Sequence, residues 1–309
     1  MFTGPVALIG LGVIGTPIAH KLNKKYHDRF MLVARGSRRN KLESQKMKIN
    51  GDEFSPKMLS DISELDEPLS LLIVCIKNYD LASSLDDIKS VVSRETIILP
   101  LQNGIYSYEF FCREFPENNI LHGYMQGPNT EKNGSTMTYT NAGSIHMGDR
   151  ENSVLDVAAK VYAYLGMAGI DVHLEQDIKK MVWKKMMLNV AGNSITALTE
   201  ANYSDFKDSV ALQTLCRKTM KEFTEVAKAE GIALTEQDID DITSYYVNYN
   251  GNKRTSMLED VSHKNRTENE YLAGNISQLA KKHNIFVPII NTLYELINIK
   301  ENLYLEKKS

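Results

Sequence analysis

The first half of the chain alternates short apolar runs with amphipathic stretches. Five runs have the length of strands, and the segments between them have the spacing of helices or loops. Because strands buried on both faces read as continuous apolar runs, this alternation predicts a parallel sheet covered on both faces by helices. The predicted strands are Val6–Ile9, Phe30–Ala34, Leu71–Ile76, Ile97–Leu101 and Ile120–Tyr124.

The pattern changes between Thr136 and Met147, where two β-rich runs flank the sequence Asn-Ala-Gly. Such runs around a glycine-containing turn predict an antiparallel hairpin, which we place at the edge of the sheet. A helix around Ser153–Leu165 and a short strand near Ile170–Leu174 complete this first domain.

Beyond Gln176 the strand pattern almost disappears. Long amphipathic segments predict helices, with breaks near Asn202–Ser204, Gly231–Leu234 and Asn250–Thr255. The chain of 309 residues is also longer than one hydrophobic core usually organises. We therefore predict two domains, an α/β domain over residues 1–176 and an all-helical domain over residues 177–309.

A glycine-rich loop follows the first predicted strand and opens a helix-like run, Thr16–Lys25. In this setting the first glycine permits a tight turn, the second lets the backbone approach a pyrophosphate, and the third allows close helix–strand packing. The loop predicts a Rossmann-type, doubly wound sheet that binds a dinucleotide; FAD, NAD, NADP and a turn that binds nothing stay open. Its residues are Gly10, Leu11, Gly12, Val13, Ile14 and Gly15.

The end of the second predicted strand bears on the choice of dinucleotide. It reads Val-Ala-Arg-Gly-Ser-Arg-Arg and contains no acidic residue. An acid would accept hydrogen bonds from the ribose 2′-hydroxyl of NAD, whereas Arg35, helped by Ser37 or Arg38, would neutralise the 2′-phosphate of NADP. NADP is favoured over NAD, and a solvated basic loop is the alternative.

Two polar residues stand where further predicted strands end, Lys77 and Asn103. Ligands of doubly wound sheets bind beyond the carboxyl ends of the strands. Lys77 would meet a cofactor or substrate oxygen, and Asn103 would hold the nicotinamide or the reacting carbonyl. An ordinary surface lysine and an Asn-Gly turn are the alternatives.

In the helical half, a spacing of four places Lys185, Asn189 and Asn193 on one stripe of a predicted helix. A lysine on a face flanked by methionine and alanine can polarise a carbonyl or donate a proton, whereas Lys184, about 100° around the helix, points elsewhere. A surface lysine on an amphipathic helix is the alternative, which the two asparagines weaken.

Two further candidate site residues, Ser256 and Glu268, occur later in the helical half. The run from Thr255 to Asp260 has the form of a capping box, with Ser256 as N-cap and Glu259 at N3. Such a helix N-terminus also suits a substrate carboxylate. Glu268 is either a helix-dipole residue or a site carboxylate.

Composition narrows the classes of function. A net charge of −3 gives no electrostatic footprint for nucleic acid. The three cysteines lie apart without a C-x-x-C pair, so neither a metal site nor a disulfide framework is expected, and the reducing cytoplasm is the expected compartment. We expect a soluble protein with no membrane partner, because neither a signal-peptide pattern nor a membrane-spanning apolar run occurs.

Taken together, these residues resemble the ketopantoate reductases (2-dehydropantoate 2-reductases), and the resemblance spans nearly the whole chain. The matching positions are the glycine loop, Lys77, Asn103-Gly104, Lys185 with Asn189 and Asn193, Thr255-Ser256-Met257-Leu258-Glu259-Asp260, Glu268, and Pro288 with Asn291.

The resemblance implies NADPH-dependent reduction of 2-dehydropantoate to (R)-pantoate, a step of pantothenate biosynthesis. It implies Lys185 as general acid, with Glu268 binding or orienting the substrate and supporting the lysine. It further implies substrate contacts for Ser256, Asn189 and Asn193. Asn103 and Lys77 would line the cofactor side of the site.

The chain departs from the family after the strand that follows Asn103. Several members carry Thr-Thr-Thr-His there, whereas this chain has the bulkier Tyr124, Met125 and Gln126 in the pocket wall. An (R)-2-hydroxy acid dehydrogenase acting on another branched or aromatic 2-oxo acid is therefore an alternative.

Two other functions and two oligomeric states stay open. A non-catalytic NADP-binding regulator is the alternative from another class of protein. A dehydrogenase of sugar-phosphate or hydroxyisobutyrate-like substrates ranks below the 2-oxo acid reductase, because no arginines cluster near Lys185. The sequence leaves open whether the chain is a monomer or a homodimer.

Overall fold

The computed structural model describes residues 4–149, 155–249 and 251–308. The chain divides into two compact units, Met1–Ile178 and Lys179–Ser309. The boundary predicted after residue 176 lies two residues before this division. Ser153, where a helix was predicted to begin, and Asn250, in a predicted break, lie outside the described residues.

The N-terminal unit contains strands that form three sheets. In chain order the strands of the described residues are β1 (Val6–Ile9), β2 (Phe30–Val33), β3 (Met47–Ile49), β4 (Asp52–Phe54), β5 (Lys57–Leu59), β6 (Leu71–Val74), β7 (Ile97–Pro100), β8 (His122–Gln126), β9 (Asn129–Asn133), β10 (Thr136–Asn141), β11 (Ser144–Gly148) and β12 (Asp171–Leu174). The helices of this unit are α1 (Gly15–Tyr26), α2 (Gly36–Ser44), α3 (Leu85–Lys89), α4 (Tyr106–Glu114) and α5 (Leu155–Met167).

The main sheet is parallel and has the strand order β5-β2-β1-β6-β7. Alternate residues of β1 enter different cores: Val6 and Leu8 pack with α1 and α5, whereas Ala7 and Ile9 pack with α3 and α4. The predicted doubly wound sheet is thus confirmed, because both of its faces are covered. Its order is that of the first strands of a Rossmann domain.

The predicted hairpin between Thr136 and Met147 is wrong. β10 pairs with β9 and β3, whereas β11 pairs with β8 and β12, so the two runs join different sheets. The chain leaves β10 through a turn in which Asn141 Oδ1 accepts a hydrogen bond from the amide of Gly143, whose φ is +73°. Alternation predicts which face of a strand is buried, but it does not name the partner strand.

The predicted strand Ile120–Tyr124 also has a different place. Ile120 makes only a single parallel bridge to Ile98, and the strand proper, β8, lies in the three-stranded sheet β12-β11-β8. The fifth strand of the main sheet is instead β5, a three-residue strand that carries too few apolar residues to predict.

The C-terminal unit is helical, as predicted. Its helices are α6 (Ile178–Leu188, which begins at the division), α7 (Ser194–Thr199), α8 (Asp205–Asp208), α9 (Val210–Ala229), α10 (Glu236–Val247), α11 (Ser256–Ser262), α12 (Ala273–Lys282) and α13 (Pro288–Leu305). The long helix α9 lies at the centre and buries Cys216, Met220 and Phe223. Among the described residues, no helix combines the length and hydropathy needed to cross a membrane.

Candidate functional site

The glycine loop has the backbone geometry that its sequence predicts. Gly10 has φ +105°, and a Cβ there would lie 2.6 Å from the amide nitrogen of Ile76, two residues beyond the neighbouring strand β6. A Cβ on Gly15 would lie 1.9 Å from the carbonyl oxygen of Gly10, whereas a Cβ on Gly12 would meet no atom within 4 Å. Gly10 and Gly15 are thus required by the fold, and Gly12 faces open space where a pyrophosphate would fit.

This contrast gives a matched pair of variants. Gly15→Ala should lower the free energy of unfolding by roughly 1–3 kcal/mol, because the added methyl group overlaps the loop. Gly12→Ala should leave the thermal unfolding midpoint unchanged and weaken dinucleotide binding at least tenfold, about 1.4 kcal/mol. Thermal unfolding and fluorescence titration with NADPH and NADH measure both effects. Equal dinucleotide affinity of Gly12→Ala and the unmodified chain would contradict this role of the loop.

The basic residues after β2 are placed differently from one another. Arg35 is exposed and makes one long ion pair, 3.7 Å from Nη1 to Asp87 Oδ1. Arg39 is held by Ser60, Glu43 and Glu64 at 2.8–3.1 Å. An exposed ion pair contributes at most about 1 kcal/mol, so the Arg35 guanidinium can exchange Asp87 for a phosphate.

Lys77 and Asn103 follow neighbouring parallel strands, so both lie at the carboxyl edge of the main sheet. A buried residue that the sequence did not single out, Asn78, links the two strand ends: its Nδ2 donates to the Asn103 carbonyl oxygen over 2.9 Å. The turn after Asn103 needs Gly104, whose φ is +86°. Asn78 and Gly104 therefore fix the backbone that carries Asn103.

In the C-terminal unit, Lys184 and Lys185 have different surroundings. Lys184 Nζ lies 2.9 Å from Asp238 and 2.7 Å from Asp241 on α10, and these contacts raise its pKa against the effect of burial. Lys185 is half-buried and makes no hydrogen bond or ion pair to any described residue. Burial, with a smaller effect of the Lys253 charge, lowers the pKa of Lys185 to about 8.

The stripe that contains Lys185 continues through a π turn, Asn189–Asn193, rather than through regular α-helix. Asn189 and Asn193 are both buried, with 4% and 3% of their surface exposed. Single π turns inside α-helices are rare and occur frequently at functional sites. The prediction of a stripe assumed regular α-helix throughout and did not anticipate this local widening.

The predicted N-cap of α11 is wrong by one residue. Thr255, not Ser256, caps the helix: its Oγ1 accepts a hydrogen bond from the Leu258 amide and also lies 2.7 Å from Thr196 Oγ1. Glu259 is therefore not at N3. Ser256 is exposed at the first helical position, and its Oγ accepts a hydrogen bond from Asn193 Nδ2 over 3.4 Å.

Lys253 is a cation that sequence reasoning did not select. It lies three residues before Ser256, and its carbonyl oxygen accepts a hydrogen bond from the Tyr203 amide over 3.0 Å. Burial lowers the pKa of Lys253, and the charge of Lys253 contributes to the lowered pKa of Lys185. Within the described ranges Lys253 makes no ion pair. Lys185 and Lys253 are thus two partly desolvated ammonium groups, neither of which forms an ion pair with a described residue, and this charge is complementary to an anion.

Glu268 is buried, with 6% of its surface exposed, and immediately precedes a short 3₁₀ turn. Its neighbours are tied to α13: the amide and hydroxyl of Thr267 donate to Glu301, and Asn269 Nδ2 donates to Asn298 over 2.8 Å. These bonds fix the backbone on both sides of Glu268.

The three bulky residues in β8, Tyr124, Met125 and Gln126, lie in three different environments. Met125 lies in the hydrophobic core of the N-terminal unit. Tyr124 is buried and stacks on His146 with ring centroids 4.8 Å apart, and His146 in turn lies 2.6 Å from Glu175. Gln126 is exposed. Of the three residues predicted to form the pocket wall, Met125 instead belongs to the core and Tyr124 to a stacked cluster.

Comparison with known proteins assigns the family. The family model described as Ketopantoate reductase PanE/ApbA matches residues 6–152, and that described as Ketopantoate reductase PanE/ApbA C terminal matches residues 177–301. The chain belongs to the ketopantoate reductase family and is an NAD(P)-dependent oxidoreductase.

Three similar proteins illustrate the breadth of the match. A 2-dehydropantoate 2-reductase of Aquifex aeolicus (strain VF5) is 26% identical over 302 residues, which are 95% of this chain and 96% of that protein. D-mandelate dehydrogenase, in a ternary structure with NADH and anilino(oxo)acetate, has a TM-score of 0.85 at 22% identity and covers 97% of this chain and 99% of its own. A dimeric ketopantoate reductase from Staphylococcus aureus has a TM-score of 0.80 at 23% identity, with the same coverage.

Proposed function

We propose that the protein reduces a 2-oxo acid to the (R)-2-hydroxy acid with NADPH, and that 2-dehydropantoate is the substrate. The observation that carries this proposal is Lys185, a half-buried lysine whose pKa is lowered to about 8 beside two buried asparagines. A lysine with a pKa near working pH can give up its proton during reaction and regain it afterwards. The family match supports the same chemistry.

In this proposal Lys185 donates a proton to the carbonyl oxygen as that oxygen gains negative charge. Asn189 and Asn193 contact the substrate oxygens, and Ser256 and Lys253 receive the carboxylate. Glu268 orients the substrate and supports Lys185. A nicotinamide dinucleotide, when bound, would supply the hydride for the carbonyl carbon.

The N-terminal unit would hold the dinucleotide. The open side of Gly12 accommodates the pyrophosphate, Asn103 and Lys77 line the nicotinamide side, and Arg35 binds the 2′-phosphate. Arg35→Ala should raise the KM for NADPH roughly tenfold while leaving that for NADH within about twofold, since a charge-assisted contact to phosphate contributes about 1.5–3 kcal/mol. Initial-rate measurements with both cofactors test this preference.

The test of the function is NADPH oxidation with 2-dehydropantoate, 2-oxoisovalerate and phenylglyoxylate in parallel. Preferred turnover of 2-dehydropantoate supports the proposal. Preferred turnover of phenylglyoxylate would instead make the protein an aromatic (R)-2-hydroxy acid dehydrogenase, a substrate class in keeping with the mandelate dehydrogenase likeness. Binding of NADPH without turnover of any 2-oxo acid would leave the regulatory alternative.

We also propose that the chain forms a homodimer. One face of α13 exposes Leu296, Ile299 and Leu303, with 45–58% of each surface accessible. The 3-4 spacing of these residues is the pattern by which a helix packs against another helix, and the Staphylococcus aureus relative is described as dimeric. Sedimentation equilibrium at micromolar concentration should give twice the mass of one chain. A monomer mass would refute the dimer and leave the reductase proposal unaffected.

A further inference from the structure

A phenol from another helix lies against the π turn. Tyr246 belongs to the last turn of α10, and its Oη donates a hydrogen bond to the Leu188 carbonyl oxygen over 2.9 Å. Leu188 directly precedes the π turn, three residues after Lys185. Tyr246 is among the largest fully buried side chains of the protein. The bond therefore joins α10 to the end of α6 in the interior of the unit.

The π turn has room for this phenol only because residue 192 is glycine. A Cβ built on Gly192 would lie 1.8 Å from Tyr246 Oη and 2.3 Å from Cζ. The ring cannot withdraw easily, because it is stacked against Phe206 and Tyr203 with centroid distances of 4.5 and 5.4 Å. A side chain at residue 192 would therefore displace the helix that carries the asparagines.

We propose that Tyr246 is a positioning residue for the reaction: by occupying the space over Gly192 and bonding to Leu188, it maintains the π turn that aligns Asn193 with Lys185. An α-helix advances about 100° per residue, so positions eight apart are offset by about 80°. A π turn closes its hydrogen bonds over five residues, advances less per residue, and turns Asn193 back towards the azimuth of Lys185.

The effect on turnover rests on the proposed function, because Lys185 and Asn193 must act on the same substrate. The protonation of Lys185 does not depend on that function. It reports how deeply the stripe is buried, together with the charge of Lys253. A lysine-selective NMR titration of the protein without substrate therefore tests the positioning separately from catalysis.

The experiment compares Tyr246→Phe, Gly192→Ala, Tyr246→Leu and the double variant Tyr246→Leu/Gly192→Ala. Gly192→Ala should lower kcat roughly tenfold, because a small misplacement of catalytic groups is costly. Its pKa for Lys185 should rise from about 8 as the stripe loses burial. Tyr246→Phe should show both effects more weakly. In the Tyr246→Leu background, the Gly192→Ala substitution should lower kcat by a smaller factor than it does in the unmodified chain.

Tyr245→Phe is the matched control, because it removes a hydroxyl from the neighbouring tyrosine, which is 40% exposed. It should leave kcat and the Lys185 pKa unchanged. If Gly192→Ala and Tyr246→Phe only lower the unfolding temperature, and the folded protein keeps its kcat and a Lys185 pKa near 8, Tyr246 has no positioning role. If the pKa rises in these variants but no 2-oxo acid is turned over by the unmodified enzyme, the positioning stands and the proposed reaction fails.

Discussion

Lys185→Met should lower kcat for 2-oxo acid reduction by about 10²–10⁴-fold, the usual contribution of a general acid. Methionine has a similar length and suits the neighbouring methionine-rich face, so the fold and the dinucleotide affinity should be retained. Lys185→Arg should not restore activity, because a guanidinium keeps the charge but does not release its proton near neutral pH. Stopped-flow or steady-state NADPH oxidation measures the loss.

The pH dependence gives an independent signature of the same residue. The proton donor in reduction is the ammonium form, which is lost as pH rises through about 8. The value of kcat/KM for reduction should therefore fall above about pH 8, and that for oxidation of the hydroxy acid should rise across the same range. Lys185→Met should abolish this pH dependence of kcat/KM for both reduction and oxidation.

Lys184→Met serves as the matched control for Lys185→Met. Lys184 pairs with Asp238. Burial alone would raise the pKa of Asp238, but the hydrogen bond from Lys184 is among the contacts that lower it to about 2. Losing this lysine should reduce stability, because a partly buried carboxylate loses a partner. The kcat should stay within about threefold of the unmodified value. Equal kcat losses at the two lysines would count against Lys185 as the acid.

The sequence predicted the parts of the N-terminal unit that depend on local signals. Buried parallel strands are continuous apolar runs, and the roles of Gly10, Gly12 and Gly15 follow from backbone geometry, so the main sheet and its loop could be recognised. The strand partners of Thr136–Met147 could not. Met137 and Ile145 enter the same hydrophobic core although their strands belong to different sheets, so alternation alone does not distinguish the two arrangements.

The site shows the same division between local and tertiary information. The spacing of Lys185, Asn189 and Asn193 is a local pattern, so the sequence could predict a helix there and a shared face as a hypothesis, but not the π turn. The cap of α11 was misplaced because Thr255 and Ser256 have similar capping propensities, and the contact with Thr196 is part of what distinguishes them in the structure. The residue before the π turn, Leu188, is bonded to a tyrosine 58 residues away, and no local pattern in the sequence indicates that the charge of Lys253 acts on Lys185.

Lys253→Met should lower kcat/KM for 2-oxo acids by roughly 30-fold or more, mainly through KM, because truncating one partner of a desolvated charge pair costs at least about 2 kcal/mol. In the same variant, the fall of kcat/KM at basic pH should shift to a higher pH. A like charge destabilises the ammonium form of Lys185, so its removal raises the pKa from about 8. Burial remains the larger cause, and the pKa should therefore stay below its ordinary value.

Arg254→Met removes the same charge one residue away. Arg254 precedes α11 and is engaged with that helix, because it pairs with Glu259 at 3.5 Å and donates to Ser262, so KM should stay within about fivefold. The two effects of Lys253→Met separate its roles. A raised KM with an unshifted pH dependence would leave Lys253 as a ligand of the carboxylate alone. A shifted pH dependence with an unchanged KM would leave it as an electrostatic neighbour of Lys185 that does not touch the substrate, and no change in either would exclude Lys253 from the site.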